Sequence, residues 1–153
     1  MKIKEKVDRL IEFILISIMS IMVINVTWQV FSRYILNAPS PYTEELTRYL
    51  MIWIGLLGAA YVSGKNAHIS IDLFKDKFSK KKQNRINLFS DVLIIFFSFF
   101  CFLIGGSRLV YITLKLGQLS PALQIPLAYV YFILPLTGLL IVFYKVLNIL
   151  NKI

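Results

Sequence analysis

Apolar positions fall into four long runs, roughly 10–31, 46–63, 86–110 and 125–147, each close to the ~20 residues that a helix needs to cross a bilayer. The pattern predicts an all-α integral membrane protein, a single membrane domain over 1–153 with four transmembrane helices. No internal repeat or low-complexity linker interrupts it. Between the second and third runs, HISIDLFKDKF sets Ile69, Ile71, Leu73, Phe74 and Phe78 among Asp72, Lys75, Asp76 and Lys77. That mixture suits a short interfacial helix with its basic side on anionic lipid headgroups. A plain cytoplasmic loop is the other reading.

Composition agrees with the runs. Hydrophobic residues make up 58% of the chain, above the ~45–50% of a soluble domain. The net charge of +9 comes from 17 Lys+Arg against 8 Asp+Glu. Such an excess can mark a nucleic-acid binder, but its distribution points to membrane orientation and no nucleic acid. Lys2, Lys4, Lys6 and Arg9 precede the first run. Lys65, Lys75, Lys77, Lys80, Lys81, Lys82 and Arg85 separate the second from the third. Lys145 and Lys152 lie at the C-terminal end. Basic residues collect on the cytoplasmic side, so both termini and the middle loop are expected there, with loops 32–45 and 111–124 outside. The opening MKIKEKVDRLIEF has no small-residue cleavage site and reads as the start of a retained helix rather than a signal peptide. A single cysteine, Cys101, supplies neither an internal disulfide nor a Cys-x-x-Cys pair, which argues against a membrane oxidoreductase.

A self-sufficient ion-coupled transporter needs ionisable groups near the bilayer midplane. The central stretches ILISIMSIMVINV, IWIGLLGAAYV, LIIFFSFFCFLIG and YFILPLTGLLIV carry none. Asp91 enters the third run from its cytoplasmic end, Glu12 starts the first, and Arg108 lies near the outer end of the third. Weakly polar and small residues form stripes instead. Asn87, Asp91, Ser98, Cys101, Gly105 and Arg108 share one helical face of the third run. Glu45, Arg48, Ile52, Gly55 and Ala59 do so in the second, and Asn25, Gln29 and Ser32 in the first. Such faces let membrane helices approach and hydrogen-bond, at ~0.6 kcal/mol per contact, and are expected to form the packing seam of a four-helix bundle. No catalytic set or phosphate loop is visible, so neither an enzyme nor a bound cofactor is expected. His68 stands four residues before Asp72. That is too few ligands for a metal, and the histidine reads as a structural loop residue.

The stretch SPYTEELTRYLMIW brings three charged residues, Glu44, Glu45 and Arg48, to the start of the second run. Ser40 and Pro41 are suited to cap and begin a helix. Glu44 and Glu45 then lie where the helix dipole favours negative charge. Arg48 is four residues from one and three from the other, within pairing reach of both. With Arg33 and Arg108, two acids and three bases gather at the outer rim. They either lock the bundle or dock a second protein.

These residues carry a resemblance. FSRYIL closes the first run. EELTRYLMIWIGLLGAAY follows with Glu44, Glu45, Arg48, Trp53 and Gly58, and NAHISIDLF with His68 and Asp72. GQLSPALQIPLAYVYFILPLTG supplies Ser120, Pro121, Ala122, Gln124, Pro126 and Pro135. In this order and spacing, over nearly the whole chain, they resemble the small four-helix membrane subunit, the Q type, of tripartite ATP-independent periplasmic (TRAP) transporters. The resemblance implies a multi-pass protein of the bacterial inner membrane that works with a large multi-span transport subunit, the M type. A periplasmic substrate-binding protein, the P type, would deliver an organic acid such as a dicarboxylate or a sialic acid, and uptake would be driven by sodium. It makes Arg33, Glu44, Glu45, Arg48, Arg108, Ser120, Pro121 and Gln124 outer-rim or partner-interface residues, and His68 and Asp72 a structural turn. No substrate site is expected in this chain. The alternatives are a self-contained four-helix exporter, for which Glu12 is the one candidate carboxylate, and a membrane assembly protein unrelated to transport.

Overall fold

The structure, a computed structural model, describes residues 2–65 and 80–150. The expected interfacial segment, with His68 and Asp72, lies outside the described residues. Helix α1 is Lys2–Tyr34, α2 is Pro41–Gly64 and α3 is Lys80–Phe97. A π-helical stretch, Ser98–Gly105, joins α3 to α4, Gly106–Lys115. Helices α5, Leu127–Tyr131, and α6, Ile133–Leu150, complete the fold. Among the described residues, four stretches are long and apolar enough to span a membrane: Lys4–Tyr34, Pro41–Gly64, Arg85–Lys115 and Leu127–Leu150.

The spans pack in the order one, two, four, three. The fourth lies against both the second and the third, and the second against the first. Ile18, Leu57 and Ile133 form the core where the first, second and fourth spans meet, with Trp53, Leu56 and Leu136 packed around it. Within its most apolar window, 39% of the fourth span is buried, against 6% of the first and 11% of the third. The outer spans leave Phe13, Ile24, Trp28, Phe89 and Phe96 exposed, a surface suited to hydrocarbon rather than water.

Helix α1 starts earlier than its apolar run because its charged first turns are held. Lys4 Nζ donates to the Gly64 carbonyl at 2.8 Å, and Asp8 accepts the Tyr144 hydroxyl at 2.5 Å. The largest departure from the expected pattern is in the third span. In the π stretch, wide turns shift the register of everything beyond it. Ser98 is buried, but Cys101, Gly105 and Arg108, which share its face on a regular helix, are exposed, and the buried positions become Gly106 and Thr113. In the second span, Gly55 and Ala59 point outward, and the buried face runs through Glu45, Leu57, Ala60, Ser63 and Gly64.

Among the described residues, two glycines pack closely against the backbone of a neighbouring helix. A Cβ on Gly138 would stand 2.9 Å from Phe102 Cβ and 3.1 Å from the Leu103 nitrogen. One on Gly106 would meet Leu134 Cβ at 2.8 Å and the Pro135 nitrogen at 3.2 Å. Backbone cannot give way as a side-chain tip does. Gly138→Ala and Gly106→Ala are therefore expected to cost about 1–3 kcal/mol each. Gly55→Ala, with nothing within 4 Å of the added carbon, should be neutral or stabilise by up to about 1 kcal/mol. Thermal unfolding in one detergent checks the contrast.

Candidate functional site

The outer rim is built where α2 begins and the loop between α4 and α5 turns back. Ser40 is extended, and Pro41 opens the helix. Glu45 then lies on the inward face, 8% exposed. Its Oε2 accepts the backbone N–H groups of Ala122 and Leu123, both at 2.8 Å, and its Oε1 accepts the Tyr49 hydroxyl. One carboxylate thus satisfies two loop amides at once.

The loop is a tight reverse turn. Gly117 and Gln124 have positive φ, 59° and 56°. Leu119 and Pro126 form an antiparallel bridge. Ser120 is wholly buried. Its N–H donates to the Ile125 carbonyl at 2.9 Å, and its Oγ accepts the Ile125 N–H at 3.3 Å. Gln124 Nε2 donates to the Pro121 carbonyl at 3.0 Å, and its side chain is exposed. Pro126 precedes α5 with extended backbone, so its ring sits outside the helix interior it would disrupt.

Glu44 faces outward. It lies 3.8 Å from Arg33 and 3.5 Å from Arg48, with the three side chains 51–66% exposed. Exposed pairs of this kind contribute ~0–1 kcal/mol, so they do little to hold the helices together. Glu44, Glu45, Arg48, Tyr49, Pro41, Pro121 and Ala122 line a notch of about 290 Å³. Arg108 and Pro121 are exposed on the same loop-bearing half. The two adjacent glutamates therefore divide the work: Glu45 holds the loop and Glu44 belongs to the surface.

Below the rim, Asn25 Nδ2 donates across to the Thr43 carbonyl and to Thr47 Oγ1, both at 2.7 Å, tying the first span to the second. Gln29 is half-buried one turn above it, and Ser32 is buried.

At the opposite end lies a set of ties that the sequence pattern did not single out. Lys145 Nζ donates to Asp91 at 2.9 Å, with side chains 0% and 6% exposed. Lys145 had read as one more cytoplasmic-side charge, but it is an inward-facing partner. Opposite charges entering neighbouring antiparallel spans from the same end are the signal that could have found it. Glu12 accepts the Tyr61 hydroxyl and stands 3.6 Å from Lys65. As a structural tie it is poorly suited to carry protons for an exporter. Among the described residues, no group of three or more His, Cys, Asp or Glu could hold a metal. The rim can support a loop and present charge, and nothing in its geometry points to bond-making chemistry.

A family model described as the DctQ component of tripartite ATP-independent periplasmic transporters matches residues 22–153. The chain belongs to this family. A Haemophilus influenzae protein named as a TRAP transporter small permease is 29% identical over 135 residues, 88% of this chain and 82% of that one. The sialic acid TRAP transporter small permease SiaQ of Vibrio cholerae is 28% identical over 61% of this chain and 54% of its own length. Two further relatives are much longer than the matched segment. The isethionate TRAP transporter permease DctMQ of Oleidesulfovibrio alaskensis is 30% identical over 73% of this chain but only 18% of its own length. For the sialic acid TRAP transporter permease SiaT of Haemophilus influenzae the match, also 30% identical, is 13% of its length. The DctQ component thus also exists as a short part of a larger permease chain. This chain is a multi-pass small subunit of a TRAP transporter, and a large M-type partner belongs to such systems.

Two outcomes test the ties within this DctQ component. Lys145→Met removes the buried ammonium that Asp91 meets at 2.9 Å and should cost about 3–5 kcal/mol. The double variant with Asp91→Leu should regain much of that loss. Thermal unfolding of the three proteins side by side measures it. At the rim, Glu45→Ala should release the loop around Ala122 and Leu123, read as faster protease cleavage there than in wild type, with cleavage elsewhere unchanged.

Proposed function

We propose that this chain is the accessory scaffold of a sodium-driven importer of organic acids, of the dicarboxylate or sialic acid class. It supports the large transport subunit in the bacterial inner membrane and helps dock the periplasmic binding protein. The observation that carries this reading is where the buried charge is spent. Asp91 and Lys145 engage each other across two spans, and Glu45 engages a loop. The central third of each span holds no charged residue. Transport of an organic acid with coupled ions needs such groups near the midplane, so that work falls to the large subunit.

Both termini and the middle loop face the cytoplasm in this reading, supported by the basic residues that flank them, and the middle loop meets anionic headgroups. The rim then faces the periplasm. Arg33, Glu44 and Arg48 are exposed there beside the Glu45-held loop, which suits them to meet the binding protein, with Arg108, Pro121 and Gln124 completing that face, whereas Ser120, wholly buried, shapes the loop from within. Asn25, Gln29, Asp91 and Ser98 serve the seam within the chain. Gly55, Ala59 and Gly105, which face outward, serve packing against the large subunit. The sialic acid class rests on the names of relatives.

Reconstituted uptake tests the proposal. Proteoliposomes holding this chain alone should accumulate no labelled organic acid under an inward sodium gradient. Vesicles that also hold the large subunit, supplied with the binding protein, should accumulate it, and collapse of the gradient should abolish the signal. Uptake by this chain alone would overturn the assignment.

A further inference from the structure

Two helix irregularities face each other at one depth. In the third span, the Gly106 N–H at the end of the π stretch is shared among the carbonyls of Cys101, Phe102 and Leu103. The π and α registers therefore meet at one amide. In the fourth span the helix is interrupted at Phe132. Pro135 has no N–H to return to Tyr131, and the Leu136 N–H reaches the Phe132 carbonyl at a long 3.5 Å. Gly106 rests on Leu134 and Pro135, and Gly138 on Phe102 and Leu103, so the two weak points are packed together. Thr137 is wholly buried in this layer, and among the described residues its hydroxyl has no hydrogen-bond partner.

Everything beyond this layer forms one unit. Helix α4 packs on α5, and the loop between them is closed by its own bridge and by the Leu127 N–H to Gln118 carbonyl bond at 3.0 Å. Outside the layer itself, the polar ties that fasten this unit to the second span among the described residues include the Glu45 clamp on Ala122 and Leu123 and Trp53 Nε1, which donates to the Val130 carbonyl at 3.2 Å. We propose that residues 106–131 are an outer hairpin cap that swings as a unit on a paired hinge, the π stretch of the third span and the Phe132–Pro135 break of the fourth, with Glu45 and Trp53 as its latches. Hinges are a few element-terminal residues that absorb the backbone change. The paired hinge moves the outer face without disturbing the Asp91–Lys145 end of the same helices.

Distances between spin labels on the full chain in lipid nanodiscs test this. In a Cys101→Ser background, one pair joins Tyr111→Cys on the cap to Met51→Cys on the second span. A control pair joins Phe89→Cys to Phe13→Cys, both on the opposite side of the hinge layer. All four positions are exposed. Wild type should give a narrow distribution for each pair. Glu45→Ala with Trp53→Phe should broaden the cap distribution toward longer distances and leave the control unchanged. Trp53→Phe alone, which keeps the ring and removes one N–H, should do the same in smaller measure. Adding Pro135→Ala, which returns the missing donor, should narrow the cap distribution again. A cap distribution that stays narrow in both latch variants would overturn the proposal. So would equal broadening of the control pair, or a Pro135→Ala addition that changes nothing.

Discussion

Lipid solvates neither a carboxylate nor a backbone amide, so each such group inside the bilayer must find its partner within protein. The fold is organised by that constraint. Lys145 and Asp91 neutralise one another between the third and fourth spans. Glu45 takes up the amides of Ala122 and Leu123 where the outer loop re-enters the helices. The Trp53 indole reaches the Val130 carbonyl close to the place where the fourth helix breaks. Most apolar side chains of the outer spans make no comparable demand, and many remain exposed.

This distribution of polar work is what the proposed supporting role would leave in a chain with four spans. A transporter keeps some buried polar groups available for cargo and ions. Here the buried charges are occupied by neighbouring helices and a loop. On the rim, Arg33, Glu44 and Arg48 remain accessible. Membership of the DctQ family accords with this. In the relative DctMQ, the matched segment is 18% of a longer permease chain.

The spans were legible in sequence because hydrocarbon thickness acts on local composition. The rim was legible for a similar reason, since Ser40, Pro41, Glu44, Glu45 and Arg48 lie in one short stretch. Which glutamate holds the loop was not, because Ala122 lies 77 residues from Glu45 and only folding brings them together. The Asp91–Lys145 tie spans 54 residues and was hidden in the same way. The stripe through Cys101, Gly105 and Arg108 assumed a regular helix. A π stretch has no composition that distinguishes it from the apolar helix around it, so the register shift that carries Gly106 and Thr113 inward could not be read from spacing. Gly55 and Ala59 show the converse limit. Spacing identifies a small-residue face but does not say whether the chain itself or another subunit covers it.

The most direct measurement is native mass spectrometry of a tagged copy released from its own membrane in mild detergent. The account predicts a complex holding this chain and one much larger multi-span permease in equal number. Release of the chain alone, or only with copies of itself, would contradict it.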